Sequence, residues 1–485
     1  MERKAVRGVP WTILSYGVNK VVTLTTTIVL ARLLEPADFG LFALAVLAIN
    51  AVSMFNDLGL GGALILRQDL DRRAQSTVLT LMLVTAAALA VLLAATAPLA
   101  AALFQEPRLA GILIALSPLV LLGGVNWFYE ALLQRELEFR KRFVAMIAQS
   151  VAFASVALLL AGVLDAGVWS LVGGQLAGVV AYGATLLAVV PYRVRPAFDR
   201  SIARTTLSSG SGFLMQRVAS FLQENADFLA VGRSLGPASL GLYSMAFRMS
   251  ELPYWSIADP VAKVTFPGFA RMRERGEDVT SAFLTALRLV AATACPLGLA
   301  LSAAAEPFTL AVLGGDWAPM ISSLTVLGLW GTARPVQVTL AWLLNSSGAA
   351  NLMGRLSIGT LVILVPLLFW AAAAGGITAV AWVMFAEVLV SGVLLSLLIR
   401  RRLGIGLRRL ADTLGPVLLS LPLGWGAGRL VAGLDAPDPL VLLLSGSATL
   451  GVYALSVSIL APAYPDAAVR LIRTRLSPRS GTPNS

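Results

Sequence analysis

A stretch at the middle of the chain, Arg233-Ser-Leu-Gly-Pro-Ala-Ser-Leu-Gly-Leu-Tyr243, repeats the pattern of Arg32-Leu-Leu-Glu-Pro-Ala-Asp-Phe-Gly-Leu-Phe42. At a constant displacement of 201 residues, six residues are identical and Phe42 falls on Tyr243. Each copy lies between two long apolar runs, so its Pro and Gly mark a turn between two helices. Pro and Gly are common in any helical turn, but seven positions in register indicate an internal duplication.

The composition is that of an integral membrane protein. Of 485 residues, 57% are hydrophobic and 13% are charged, and the mean hydropathy is +0.81. A soluble domain cannot bury so much apolar surface, whereas a bundle of membrane-spanning helices can. The chain has no His, which excludes imidazole catalysis, His metal ligands and His proton relays. Its single Cys, Cys295, is expected to be a packing residue.

Fourteen apolar runs are long enough to cross the membrane, which needs about 20 residues each. The sequence therefore predicts an all-α membrane protein with about fourteen transmembrane helices. The first run carries Asn19 and Lys20 at mid-depth and lacks a small-residue cleavage pattern, so we expect it to remain in the protein. The runs are 10–30, 39–64, 76–104, 110–133, 143–164, 167–190, 207–232, 240–266, 281–313, 320–346, 354–374, 376–399, 411–433 and 438–461.

The distribution of Lys and Arg predicts the orientation of the chain. With a cytoplasmic N-terminus, the outer loops carry only Arg32, Arg108, Arg233 and Arg429 of the 37 Lys and Arg residues. Apart from a few within spans, the others fall on the cytoplasmic side, which predicts that both termini are cytoplasmic. This pattern explains the net charge of +11 without any nucleic-acid partner.

The repeat predicts two six-helix lobes with the same orientation, because an even number of spans separates the two copies. Such parallel repeats are related by an axis along the membrane normal, with a substrate path between them. We expect the last two helices to pack as a peripheral hairpin, although they are also compatible with a lipid-facing groove. The predicted parts are an N-lobe at 1–190, a basic cytoplasmic linker at 191–206, a C-lobe at 207–399, a helix pair at 400–463 and a disordered basic tail at 464–485.

Polar residues within the apolar runs are the candidate site, because a charge at the bilayer centre costs about 2.5–3.5 kcal/mol unless it meets a cavity or a partner. They form stripes at helical spacing on corresponding runs of the two lobes. Lys20 and Arg334 lack an acid on their own helix and are the strongest candidates for an anionic ligand. The stripes contain Asn19, Lys20 and Asn50 in the first lobe, and Arg217, Glu224, Asp227, Arg248, Glu251, Arg334 and Gln337 in the second.

A structural role is the alternative for some of these charges. Arg248 with Glu251, and Arg217 with Glu224, have the spacing of interior ion pairs that hold helices together. The fourth run adds Asn126 and Glu130, and Glu130 lies about one turn from the cytoplasmic end. Glu387 is alone on the twelfth run and has no assigned role.

Several motifs resemble those of a known transporter family. Asn225-Ala-Asp227, Val231-Gly-Arg-Ser-Leu-Gly-Pro237 and Leu240-Gly-Leu-Tyr-Ser-Met-Ala-Phe-Arg248 resemble the mid-chain signature of bacterial polysaccharide flippases. These form the Wzx-like branch of the MATE-like multidrug/oligosaccharidyl-lipid/polysaccharide exporter superfamily. Leu33–Phe42 and Leu133–Arg140 are similar to further turns of that family. The resemblance covers about residues 5–400 and implies a V-shaped, MATE-like bundle.

The resemblance also implies a function. It is the translocation of an undecaprenyl-diphosphate-linked oligosaccharide from the inner to the outer leaflet of the bacterial plasma membrane, without catalysis or a cofactor. Polysaccharide polymerases and glycosyltransferases are the implied protein partners, and a monomer suffices because one chain holds both lobes. On this interpretation Lys20, Arg217, Arg248 and Arg334 meet the diphosphate, whose oxygens need cationic donors.

The same interpretation gives roles to the remaining polar residues. The sugars are expected to meet Asn19, Asn50, Gln337, Tyr254 and Trp255. The acids Glu224, Asp227 and Glu251 either bind a coupling Na⁺ or proton or neutralise the arginines, and the sequence does not choose between these roles.

Two other functions remain open. An ion-coupled drug or organic-cation antiporter of the same superfamily would favour an acidic cavity. The deep charges are instead mixed, with four bases and three acids, which favours an anionic substrate. A membrane scaffold for polysaccharide assembly predicts that export survives neutralisation of the embedded charges.

Overall fold

The structure is a computed structural model that describes residues 2–55, 72–136, 138–190, 194–200, 214–276 and 278–461. Within these ranges all regular secondary structure is helical, and the chain spans the membrane many times. The helices are α1 (Glu2–Leu33), α2 (Pro36–Ser53), α3 (Arg72–Phe104), α4 (Arg108–Leu116), α5 (Pro118–Arg135), α6 (Phe139–Gly162), α7 (Val168–Val189), α8 (Leu214–Ser250), α9 (Asp259–Glu274), α10 (Thr280–Ala303), α11 (Ile321–Ser346), α12 (Ala350–Leu403), α13 (Leu407–Ala432) and α14 (Asp438–Leu460).

Short helical turns connect some of these helices. A π-helical turn at Tyr254–Ala258 precedes α9. A helix at Ala305–Phe308, a π turn at Thr309–Leu313 and a 3₁₀ turn at Gly315–Met320 join α10 to α11. Ser117 separates α4 from α5, so that one predicted run contains two helices.

Each of the fourteen predicted runs overlaps a helix, which confirms the all-α membrane fold. Among the described residues, nine helical segments are long and apolar enough to cross a membrane. The longest, Leu352–Leu403, contains a break and covers two predicted runs. Helices α1, α8 and α11 coincide with further predicted runs, and the total of fourteen spans stays a prediction.

Glycines break the two longest helices where the sequence predicts a boundary between runs. Gly236 in α8 has φ +79°, and Gly376 in α12 has φ +64°. Residues with a Cβ rarely adopt such angles, whereas glycine does so freely. In α8 the break is followed at once by Pro237, which cannot donate a backbone hydrogen bond to the preceding turn. The helix therefore ends and restarts at the repeated turn.

The two copies of the repeated turn touch each other through their glycines. A Cβ added to Gly40 would collide with the carbonyl oxygen of Pro237, and one added to Gly241 would collide with that of Pro36. The contact is reciprocal, as expected for two copies related by a local two-fold axis. The duplication found in the sequence thus corresponds to a physical contact between α2 and the second part of α8.

The chain forms two compact units. The first contains residues 1–245 and 354–380, and the second contains 246–353 and 381–485. In the first unit α6 packs against α1 and α7, and α3 packs against α4 and α5. A core in this unit surrounds Met82, Phe128, Leu132 and Leu186, which are almost fully buried.

In the second unit α10 is the central helix. It packs against α11, α13 and α14, and the last two form a tight antiparallel hairpin. Gly298 of α10 lies against the backbone of Gly331 and Thr332, and Gly328 of α11 lies against Ser302. Small residues let membrane helices approach closely, which compensates for the lack of a hydrophobic driving force in lipid.

Some predictions fall on residues outside the described part of the chain. These are most of the linker 191–206 and the tail 464–485. The backbone of Arg217 lies in α8, but its side chain is outside the described part as well. The predicted lobe boundaries stay predictions.

Candidate functional site

A polar cavity of about 370 Å³ lies inside the first unit, between α2, α5, α6 and α7. We call it the N-terminal cavity. It lies towards the end of the bundle at which α2, α5 and α7 end and α6 begins. Apolar residues of the same four helices complete its wall. Its polar and aromatic lining residues are Asn50, Asn126, Trp127, Glu130, Arg142, Gln149, Gln175 and Tyr182.

Glycines on α7 bring the walls of this cavity together. A Cβ on Gly174 would lie 2.8 Å from the Cβ of Ala157 and 3.0 Å from the carbonyl oxygen of Phe153. A Cβ on Gly178 would lie 3.1 Å from the carbonyl oxygen of Gln149. Because the two glycines are four residues apart, they form one small-residue face along which α7 meets α6.

An ion pair with a third hydrogen-bonding partner lies at the end of the cavity where α5 ends and α6 begins. Nη2 of Arg142 is 2.6 Å from Oε1 of Glu130, and the Tyr182 hydroxyl donates to Oε2 of Glu130 at 2.9 Å. The two charged side chains retain 26% and 13% exposure, so the pair is partly accessible from the cavity. Both carboxylate oxygens are engaged and the charges of the pair cancel.

Three carboxamides face the cavity with their hydrogen-bonding groups unused. Among the described residues, Asn50, Gln149 and Gln175 neither donate to nor accept from another group of the protein. Asn50 is exposed, and both glutamines are half-buried. Asn126 differs, because it is buried and its Nδ2 donates to the Val179 carbonyl oxygen at 3.3 Å.

A second polar group lies between α11 and the second part of α12, in the other unit. We call it the C-terminal polar cluster, and it consists of Trp330, Arg334, Gln337, Glu387 and Ser391. Arg334 Nη1 donates to Gln337 Oε1 at 2.7 Å, and Gln337 Nε2 donates to the Ser391 hydroxyl. The Arg334 guanidinium carbon lies 5.7 Å from the centroid of the Trp330 ring. Arg334 is therefore held by a stacked ring and a hydrogen-bonded amide.

Glu387 supplies the acid that Arg334 lacks on its own helix. Arg334 and Ser391 are the groups that interact with its carboxyl group. Among the described residues, its Oε1 and the Trp330 Nε1 are buried without hydrogen-bond partners. The cluster therefore contains one hydrogen-bond acceptor and one donor without partners, close to the Arg334 guanidinium.

The two polar sites correspond under the internal repeat. In these later runs a displacement of 211 residues aligns Leu132-Leu133-Gln134 with Leu343-Leu344-Asn345, and it also places Asn126 on Gln337. Asn126 donates to α7, and Gln337 donates to the second part of α12. In each predicted lobe, a side-chain amide thus connects the helix of the fourth run to the helix of the sixth. These are α5 and α7 in the first lobe, and α11 and the second part of α12 in the second.

A large apolar groove of about 620 Å³ begins at the C-terminal polar cluster. Its walls are α10, α11, the second part of α12 and α13, and Gln337 lines it at the polar end. Nearly all other lining residues are apolar, including Leu299, Val388 and Leu418. Because α13 is one of its walls, the C-terminal helix pair is more than the peripheral hairpin that we expected.

The predicted residues of α1 lie at a helix contact. Asn19 Nδ2 donates to the Ser150 hydroxyl at 2.6 Å and to the Met146 carbonyl oxygen at 3.3 Å, which ties α1 to α6. Lys20 is half-buried and already interacts with another group of the protein. Neither residue lines the N-terminal cavity, and their binding roles stay predictions.

The predicted acids have three different surroundings. Glu224 is exposed. Asp227 is buried at 1% exposure and accepts a hydrogen bond of 2.8 Å from the Tyr243 hydroxyl. Glu251 accepts from Trp255 Nε1 at 3.2 Å and interacts electrostatically with Arg248, whose side chain is exposed. The common helical spacing of Glu224 and Asp227 thus does not give them a common environment.

Sequence reasoning missed several residues of both sites. Arg142 was counted among the basic residues of a cytoplasmic loop, although it pairs with Glu130 inside the bundle. Gln149 and Gln175 carry no charge and therefore did not stand out in an apolar run. The signal for them was their place on helices that also carry small-residue faces, such as Gly174 and Gly178 on α7.

Comparison with solved structures identifies the class of fold. The lipid II flippase MurJ in an inward closed conformation superimposes with a TM-score of 0.75 at 14% identity, covering 96% of this chain and all of that one. An inward-facing multidrug resistance MATE family transporter of the MOP superfamily superimposes with a TM-score of 0.64 at 17% identity, covering 80% and 94%. The protein has the MurJ/MATE transporter fold.

Sequence comparison identifies the family. The model of the family described as "Polysaccharide biosynthesis protein" matches residues 29–322, and the chain belongs to that family. The teichuronic acid biosynthesis protein TuaB of Bacillus subtilis is 28% identical over 329 residues, 67% of this chain and 68% of that one. The succinoglycan biosynthesis transport protein ExoT of Rhizobium meliloti is 29% identical over 338 residues, 69% and 67% of the two chains.

Proposed function

We propose that this protein is a flippase that moves an undecaprenyl-diphosphate-linked oligosaccharide from the inner to the outer leaflet of the plasma membrane. It acts by alternating access and serves the export of a cell-surface polysaccharide. Membership in the polysaccharide biosynthesis family and the fold shared with a lipid II flippase support the proposal.

The observation that carries the proposal is the junction of a cationic cluster with an apolar groove. Gln337 lines the groove and also accepts a hydrogen bond from Arg334. The apolar groove of about 620 Å³ thus has in its wall an amide that the Arg334 guanidinium holds from behind. This suits an amphiphile with an anionic head and a long hydrocarbon tail.

The chemistry of the head group favours a diphosphate. Arginine presents several donors in a fixed planar fork, which matches phosphate oxygens. Trp330 and Gln337 restrict the Arg334 side chain, which lowers the entropy lost when it binds a ligand. Arg248 adds a second accessible guanidinium in the same unit. The negative charge of Glu387 weakens the attraction between Arg334 and the diphosphate, so that the ligand can dissociate.

Location and coupling belong to the same proposal. The protein acts as a monomer in the bacterial plasma membrane with both termini in the cytoplasm, alongside polymerases and glycosyltransferases of polysaccharide assembly. A Na⁺ ion or a proton drives the cycle through Glu224, Asp227 or Glu251. Glu251 is favoured among these, because it interacts electrostatically with Arg248.

Substitution of Arg334 tests the proposal. Purified protein is placed in vesicles with undecaprenyl diphosphate carrying a short oligosaccharide, and a membrane-impermeant glycosidase reports the outer leaflet. Hydrogen bonds to charged groups contribute about 1.5–3 kcal/mol. We therefore expect Arg334→Gln to slow translocation about 10- to 100-fold.

Arg429→Gln is the matched control. Arg429 also lies over a tryptophan ring, at 5.9 Å from the Trp425 centroid, but it is exposed and outside the cluster. Its rate should stay within about twofold of the native one, as is usual for surface substitutions. Native protein that moves no such lipid but exchanges organic cations for Na⁺ or protons would be an antiporter. Export in cells that survives neutralisation of the embedded charges would indicate a scaffold.

A further inference from the structure

We propose that the N-terminal cavity is a binding subsite for a neutral sugar unit of the transported oligosaccharide. The inference rests on the proposed function and adds a site that is separate from the C-terminal polar cluster. It assigns the recognition of the saccharide to Gln149, Gln175, Asn50 and Trp127.

The unused carboxamides are the first argument. A carboxamide offers two N–H donors and a carbonyl acceptor, and groups of this kind inside a membrane bundle are normally paired. Asn50, Gln149 and Gln175 are unpaired among the described residues, yet all three line the same cavity. A hydroxyl-rich ligand donates and accepts at adjacent atoms and would satisfy them.

The geometry of α6 and α7 is the second argument. Gly178 lies against the backbone of Gln149, and Gln175 is one helical turn before Gly178 on the same face of α7. The two glutamines therefore lie beside the contact that Gly178 makes between the two helices. Arg142 lies seven residues before Gln149, so the polar wall extends about 10 Å along α6.

Charge selects the class of ligand. Arg142 is neutralised by Glu130 at 2.6 Å, and Tyr182 occupies the second carboxylate oxygen. The cavity therefore holds no net charge among the described residues, and a diphosphate would gain little from it. A hydrocarbon tail would leave the carboxamides unsatisfied, at a cost in free energy. A neutral sugar matches both constraints.

Size and shape agree with a saccharide. The volume of about 370 Å³ lies at the lower end of the roughly 300–1,000 Å³ of small-molecule sites. Trp127 is 38% exposed and lines the cavity, so its ring can cover the apolar face of a pyranose. In the proposed orientation the cavity lies in the cytoplasmic half of the bundle, on the side where the substrate is loaded.

Binding to lipids that differ only in the sugar tests the inference. The full chain in nanodiscs is titrated, with native mass spectrometry as the readout, against four lipids. These are undecaprenyl diphosphate alone and undecaprenyl diphosphate bearing one glucose, one galactose or one glucuronic acid. We expect at least one neutral hexose to strengthen binding about tenfold over the bare lipid, and the glucuronic acid to add less.

The variant Gln149→Ala/Gln175→Ala should abolish this tenfold preference and leave the affinity for bare undecaprenyl diphosphate unchanged. The control Ser155→Ala/Thr185→Ala alters polar residues of the same two helices that do not line the cavity, and should keep the preference. A second readout is Gln149→Cys, whose labelling by a water-soluble maleimide should be blocked by the hexosyl lipid but not by the bare lipid. The native Cys295 is buried and gives little background.

The other outcomes are distinct. Native protein that binds all four lipids equally, or a double variant that keeps the hexose preference, overturns the sugar subsite while the flippase proposal stands. If only the glucuronic acid lipid binds more tightly than the bare lipid, the cavity does not select a neutral sugar and the inference is wrong. Should Glu130→Gln change the proton or Na⁺ dependence of transport while the double variant binds hexose normally, the cavity is an ion site. Native protein that binds none of the lipids refutes the proposed function, and the subsite with it.

Discussion

At the scale of single residues, the polar groups of this protein work in sets drawn from different helices. Glu130 of α5 forms an ion pair with Arg142 of α6 and accepts a hydrogen bond from Tyr182 of α7. Glu387 of α12 interacts electrostatically with Arg334 of α11. In each set, the acid and the base lie on different helices. Arg142 is therefore neutralised by a direct ion pair before any ligand arrives, whereas Arg334 has no carboxylate within 4 Å among the described residues.

Removal of Glu130 tests how much its pair contributes to stability. Breaking a buried ion pair costs about 3–5 kcal/mol, but water can reach this one through the cavity. We expect Glu130→Ala to lower the free energy of unfolding by about 1–3 kcal/mol and Tyr182→Phe by about 1 kcal/mol. Thermal unfolding of purified protein in detergent measures both.

The double variant Glu130→Ala/Arg142→Ala is the control, because it leaves no unpaired charge. It should unfold at a higher temperature than Glu130→Ala alone. If both variants unfold at the same temperature, the loss comes from packing rather than from the orphaned guanidinium.

The sequence could predict which residues are polar and embedded, but not which of them meet. Glu130 was placed near the end of its helix, and its partner Arg142 was assigned to a loop because it follows other basic residues. The pairing depends on the rotation of α6 and α7 about their axes. That rotation is set by contacts such as Gly174 against Ala157, which a single sequence does not reveal.

At the scale of elements, glycine decides where helices break and where they touch. The breaks at Gly236 and Gly376 fall at predicted boundaries between apolar runs. The contact between the two repeated turns was not predicted, because it joins residues about 200 positions apart. The repeated Pro and Gly pattern in the sequence identified the two turns. Their contact depends on how the helices pack, which the pattern does not contain.

Substitution at the crossing of these turns should disturb the fold. In Gly40→Ala or Gly241→Ala the new methyl group meets a backbone carbonyl oxygen, which cannot move aside as a side chain does. Overpacking of this kind costs about 1–3 kcal/mol or more. We expect a lower unfolding temperature and a lower yield of monodisperse protein on size-exclusion chromatography.

Gly111→Ala in α4 is the matched control for the crossing. A Cβ at that position has nothing within 4 Å. Alanine is the better helix former by about 0.5–1 kcal/mol, so this variant should be as stable as the native protein or slightly more so. If Gly40→Ala behaves like Gly111→Ala, the two turns do not pack closely in the membrane.

At the scale of the whole molecule, the chain provides separate surfaces for separate parts of an amphiphile. The second unit holds a cationic cluster that continues into an apolar groove, and the first holds an uncharged polar cavity. The membrane class and the repeat were predicted from composition and internal similarity. A lipid-facing groove at the last two helices was only an alternative to a peripheral hairpin. Its other walls were not predicted, because they come from helices far apart in the sequence and their lining resembles any lipid-facing surface.

Filling the groove tests its role in holding the tail. A Cβ on Gly392 has nothing within 4 Å, so Gly392→Phe should place a ring in the groove without moving the backbone. The alternative environment of the tail is lipid rather than water, so the groove gains only packing contacts of about 0.1–0.2 kcal/mol each. Losing several of them should weaken binding of undecaprenyl diphosphate about two- to fivefold.

A short-chain analogue, farnesyl diphosphate, should bind Gly392→Phe and native protein equally, because it does not fill the groove. Gly426→Phe introduces the same side chain on α13 outside the groove lining and should leave both affinities unchanged. An equal loss for both lipids in Gly392→Phe would mean that the substitution disturbs the polar cluster instead of the tail.

The reciprocal contact of Gly40 with Pro237 and of Gly241 with Pro36 also bears on how such a chain arose. A gene encoding only one half would have produced a protein that makes this contact with a second copy of itself. In that ancestor, one mutation at the glycine codon would have created two collisions at once. Duplication and fusion gave each glycine its own codon, so the halves were free to diverge around the crossing. Each glycine still faces the proline of the other copy, so both copies make the same contact at the crossing.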